Sequence, residues 1–121
     1  MDNNQKPQKL IAELSDKYGE VKKWPVLCQA EALLFTISAL HGHTRIEGMW
    51  IRELHDICYY LAELPNSGIT KTSYHSHEDH RGEDEWSDWV YQCGAYAIHI
   101  HNYQGYSRNT FGDEDWSLTI H

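Results

Sequence analysis

The sequence predicts an α+β protein in which three N-terminal helices pack on a small C-terminal antiparallel sheet. Two changes of pattern carry that reading: apolar residues recur at helical spacing as far as Pro65, and after Gly68 the period becomes two. The bulk composition, 40% hydrophobic and 23% charged over 121 residues, is that of a folded globular domain. By length the chain is one domain, 1–121, with a helical half at about 5–64 and a sheet half at about 69–121.

In "PQKLIAELSDKYG", Leu10, Ile11, Leu14 and Tyr18 share one helical face, Pro7 suits a first turn and Gly19 the position after the last. A second helix is expected between Trp24-Pro25 and His41-Gly42. Its broad stripe of Leu27, Ala30, Leu33, Leu34 and Ile37 marks it as the central helix. Thr44-Arg45-Ile46-Glu47 has the T-x-x-E form of a capping box, so a third helix is expected to start there. It would turn Ile46, Trp50, Leu54, Ile57, Cys58 and Leu61 inward and stop before Pro65. "PNSG" then makes a turn.

"ITKTSYH", "AYAIHIHNY" and "WSLTIH" alternate and are rich in β-branched and aromatic residues, as antiparallel strands are. "EWSDWVYQC" fits a helical stripe through Trp86, Trp89, Val90 and Cys93 or a strand face through Trp89, Tyr91 and Cys93; its end reads better as strand. Two similar phrases, "GEDEWS" and "GDEDWS", both lead into expected strands, as a recurrent turn-to-strand entry.

The formal net charge is −8, and it is unevenly placed. Residues 1–60 hold seven Lys/Arg against eight Asp/Glu; residues 61–121 hold three against ten. So few cations disfavour direct nucleic-acid binding, which draws its affinity from Lys and Arg, and disfavour anionic membranes for the same reason. A basic protein surface is the favoured partner. Three cysteines without C-x-x-C spacing, an N-terminus without an apolar signal region and a longest apolar run of 15 residues point to a cytoplasmic protein with no transmembrane helix.

The residues expected to meet that partner are Glu83, Asp84, Glu85, Trp86, Asp88, Trp89, Tyr103, Tyr106, Arg108, Asp113, Glu114 and Asp115. Tyrosine with small polar neighbours is the palette of binding loops, and adjacent carboxylates select a cationic target. The expected function is that of a small acidic inhibitor that blocks a basic partner, such as a nucleic-acid-binding enzyme. In size and charge it looks like the anti-CRISPR and anti-restriction proteins of phages and like immunity proteins, an analogy and not a sequence match. No cofactor is implied by this reading, and unpaired strand edges admit a homodimer as well as a monomer.

A second reading starts from "YHSHEDHRG". His75, His77, Asp79 and His80 satisfy H-x-H-x-D-H, which resembles the metal-binding loop of the metallo-β-lactamase superfamily. The resemblance covers six residues and implies a hydrolase holding Zn, Mn or Fe, with a metal-bound water as nucleophile. His99 and His101 would lie on one side of a strand, opposite Ile98 and Ile100, where they could assist. A third reading is a small-ligand sponge lined by Trp, Tyr and His. Nucleophile, P-loop and dinucleotide motifs do not occur, and Cys58 near His55 reads as a core thiol.

Overall fold

The computed structural model describes residues 5–78, 84–105 and 113–121. Helix α1 (Gln5–Tyr18) leads through a 3-10 turn (Val21–Lys23) into α2 (Val26–Leu40), followed by a two-residue strand β1 (Ile46–Glu47) and helix α3 (Ile51–Glu63). Four strands complete the chain: β2 (Ile69–Glu78), β3 (Asp84–Cys93), β4 (Tyr96–Gly105) and β5 (Asp113–Ile120). They form one five-stranded antiparallel sheet in the order β1-β5-β4-β3-β2, with the three helices against it.

The core lies between the helices and one sheet face. Period-two alternation buries Tyr91, Ile98, Ile100, Trp116, Leu118 and Ile120 against Leu33, Ile37, Leu40, Ile51, Leu54, Ile57, Cys58 and Leu61. "EWSDWVYQC" is strand throughout, and Trp89, Tyr91 and Cys93 take the inward side. α1 stops one residue before Gly19, and α3 stops two residues before Pro65, as proline's steric demand on its predecessor requires.

Two expectations fail. The T-x-x-E segment does not cap a helix: Ile46 and Glu47 pair with Leu118 and Ser117, and the Gly48 N–H donates to the Trp116 carbonyl at 3.1 Å. Covering the open edge of β5 satisfies more backbone groups than one capping box, so the tertiary ladder overrides the local signal. The chain then reverses at Gly48, whose φ of 156° brings the position of a Cβ to 2.7 Å from the Trp50 ring, and α3 begins at Ile51. The second failure concerns the α2 stripe. Leu33 and Ile37 are in the core, but Leu27 and Leu34 face outward, and the buried face runs through Gln29, Ala32, Leu33, Thr36, Ile37 and Leu40. Gln29 is accommodated there because its Nε2 donates to the Val21 and Trp24 carbonyls, which ties the 3-10 turn to α2.

Candidate functional site: the open face of the sheet

The helices occupy one face of the sheet, and the other is lined in register. Across β2, β3, β4 and β5 the outward positions form the rows His77–Trp86–Tyr103–Asp115, His75–Asp88–His101–Ser117 and Ser73–Val90–His99–Thr119. His99 and His101 share this side, while Ile98 and Ile100 are fully buried on the other.

Asp88 is the hub. Its Oδ1 accepts from His101 Nδ1 at 2.7 Å and from His99 Nε2 at 3.2 Å. A carboxylate only accepts, so each of those ring nitrogens carries a hydrogen, which sets His101 as the Nδ1–H form when neutral. Burial acts to raise the Asp88 pKa, but the hydrogen bonds and charges of His101 and His99 outweigh it and hold the carboxyl below its ordinary value. One row outward, the His77 and Trp86 rings stack at 5.5 Å and the Tyr103 hydroxyl donates to Asp84 Oδ1 at 2.8 Å.

Asp88, His101 and Ser117 stand in the order acid, base, hydroxyl. Among the described residues, however, no hydrogen bond joins His101 to the nearly buried Ser117, so the row lacks the base-to-nucleophile contact of a catalytic triad. A hollow of about 150 Å³ beside it is ringed by Arg45, Asp88, His99, His101, Ser117, Leu118 and Thr119, a lining of mixed polarity. Among the described residues no group of three or more His, Cys, Asp or Glu side chains is placed to hold a metal ion. His75 and His77 lie on the open face, whereas Asp79 and His80, the other half of the H-x-H-x-D-H motif, lie outside the described residues.

The carboxylates gather at one end of the sheet because β3 and β5, which begin within the two acidic phrases, run in the same direction on either side of β4. Glu78 stands directly opposite Glu85, and Glu114 lies two strands from Glu85 with Gln104 between them. Asp84 pairs with Gly105, which pairs with Asp113. Strand alternation divides the expected site: Asp84, Trp86, Asp88, Tyr103 and Asp115 belong to the open face, and Glu85, Trp89 and Glu114 to the helix-side face. Glu114 Oε1 there accepts from Trp116 Nε1 at 2.8 Å, and Trp89 stacks on Trp116 at 5.9 Å against the core. Glu83, Tyr106 and Arg108 lie outside the described residues.

The sequence reading missed the pair beneath Trp89. His55 Nε2 lies 3.2 Å from the Tyr91 hydroxyl, and its ring is 4.1 Å from Trp89, inside the core. Burial, then the nearby Lys71 ammonium, lowers the His55 pKa to about 4. Cys58, one turn on, is fully buried, and burial raises its thiol pKa far above the ordinary range. Neither is a surface nucleophile.

Comparison with known proteins finds no matching family model, no similar curated protein and no similar solved structure.

Proposed function

We propose that the protein is a binding module that docks the acidic end and open face of its sheet on a basic protein surface and blocks it, of the kind of surface that otherwise holds nucleic acid. One observation supports this above the others: Glu78 and Glu85 oppose each other directly across β2 and β3, both exposed. Like charges so placed destabilise a sheet by some tenths of a kcal/mol. No Lys or Arg among the described residues forms an ion pair with either, so a partner that arrives with positive charge would relieve the repulsion. These two carboxylates project on the helix side of that end; on its open face Trp86 and Tyr103, adjacent and half-buried, supply rigid amphipathic area beside Asp84 and Asp115.

The probe is a fluorescein-labelled deca-arginine peptide, with anisotropy as the readout. Affinity should fall at least about tenfold between low and physiological salt, and again on Glu85→Lys or Glu78→Lys. Glu13→Lys on α1, which makes the same change of net charge, should leave it nearly unaltered. Equal losses for all three variants would reduce the effect to net charge and remove the docking surface. Among the described residues no helix is long and apolar enough to cross a membrane.

A further inference from the structure

The helices do not cover the whole of the face they pack on. Along the helix-side row Tyr74–Trp89–Ile100–Leu118, which crosses the sheet from β2 to β5, Ile100 and Leu118 are buried, Trp89 is half-buried and Tyr74 is 49% exposed. Ser76 and Glu78, on the same side of β2, are exposed as well. The outer end of the β2–β3 pair therefore projects past the helices and presents a sheet surface that nothing in the chain covers among the described residues. That surface is ordered by the register: Tyr74 stands opposite Trp89 with the rings 5.6 Å apart, Ser76 opposite Ser87, and Glu78 opposite Glu85. Successive rows on one face are about 7 Å apart, so rings and carboxylates flank a shallow gap floored by two serines.

Given the basic partner proposed above, on which this assignment rests, we infer that the gap takes an arginine side chain of that partner, its guanidinium against the rings of Tyr74 and Trp89 and its N–H groups turned to Glu78 and Glu85. Both walls attract a cation. The rings do so through their π-systems, and the two carboxylates, opposed without an ion pair to Lys or Arg among the described residues, do so through charge. The chain's own cation already answers to the aromatic wall: Lys71 Nζ lies 5.9 Å from the centroid of the Tyr74 ring. Arginine suits the gap better than lysine because its guanidinium is flat and weakly hydrated, so that one face can lie on a ring while the in-plane N–H groups reach carboxylates. A compact ammonium must give up a tightly held water shell to touch the same ring. An apolar side chain would leave Glu78 and Glu85 uncompensated, and it would bury them at a cost.

Labelled deca-arginine and deca-lysine peptides, compared by anisotropy at one salt concentration, separate stacking from charge. Wild type should bind deca-arginine at least about threefold more tightly. Tyr74→Leu removes a ring and no charge; it should weaken deca-arginine binding about two- to fivefold, the range of an exposed cation–ring contact, and narrow the preference over deca-lysine. Because Tyr74 is about half exposed, the melting temperature of that variant should match wild type. Lys71→Gln frees the ring of its internal cation and should tighten deca-arginine binding more than Lys9→Gln on α1, which makes the same change of net charge. In proton NMR of the complex, arginine δ-CH₂ protons should show contacts to the Tyr74 or Trp89 ring. Unaltered deca-arginine affinity in Tyr74→Leu, or equal wild-type affinity for the two peptides, overturns the arginine site while leaving the charge-dependent docking of the sheet end in place. Failure of wild type to bind either peptide overturns both and leaves the projecting surface to a neutral partner.

Discussion

His55 makes the fold sensitive to acid in a window that can be worked out. Its folded pKa of about 4 lies below the 6.5 of an unperturbed histidine, because the ring sits among Trp89, Tyr91 and Trp116 with Lys71 nearby. Between those two values the unfolded chain binds the proton and the folded chain does not, so stability rises with pH through the window and is lost as pH falls. From the two pKa values the loss relative to neutral pH is about 2 kcal/mol at pH 5 and approaches about 3 kcal/mol near pH 4. Urea unfolding followed by tryptophan fluorescence measures it: with a slope of about 1.5 kcal/mol/M, the midpoint should fall by roughly 1.3 M between pH 7.5 and pH 5. Other groups titrate nearby. The Asp56 pKa is raised chiefly by burial, which contributes in the opposite sense as pH falls. The decisive quantity is therefore the difference between wild type and His55→Gln, whose stability gap should shrink by about 2 kcal/mol over the same interval. Parallel pH profiles for the two proteins would mean that His55 is not held neutral by the core, and the argument from burial would be wrong.

Three further outcomes are expected. Tyr91→Phe removes the hydroxyl that meets His55 Nε2 and leaves a buried ring nitrogen unpaired, a loss of about 1–2 kcal/mol in urea unfolding at neutral pH. Gly48→Ala sets a Cβ 2.7 Å from the buried Trp50 ring at a backbone angle that only glycine adopts easily; a loss of about 2 kcal/mol should appear as a lower melting temperature, whereas Gly42→Ala, with open space around its Cβ, should cost less. Long-range ¹H–¹⁵N spectra at a pH where His101 is neutral should show the Nδ1–H tautomer, and Asp88→Asn should abolish that preference; an Nε2–H ring in the wild type would contradict the 2.7 Å contact.

How much was legible in the sequence depends on where each signal acts. The helices ending at Gly19 and before Pro65, the turn at "PNSG" and the alternation of "AYAIHIHNY" are local matters of backbone sterics and period, and the fold follows them. That His99 and His101 share a side opposite Ile98 and Ile100 follows from the same period of two. That both lean on Asp88 required the β3–β4 register, which no short stretch encodes. Trp86 and Trp89 look alike in the sequence, yet three residues of strand put them on opposite faces, one beside His77 and the other against His55.

By itself, then, the chain's composition and periodicity determined the helical and sheet halves, the places where most elements stop and the excess of negative charge in the second half, because each depends on residues near one another along the backbone. The tertiary structure decided the rest. Long-range pairing turned a capping-box motif into an edge strand, split the acidic phrases between two faces while bringing them to one end of the sheet, exposed half of the α2 stripe and buried His55, since only the three-dimensional arrangement determines which groups lose water and which backbone donors find a partner.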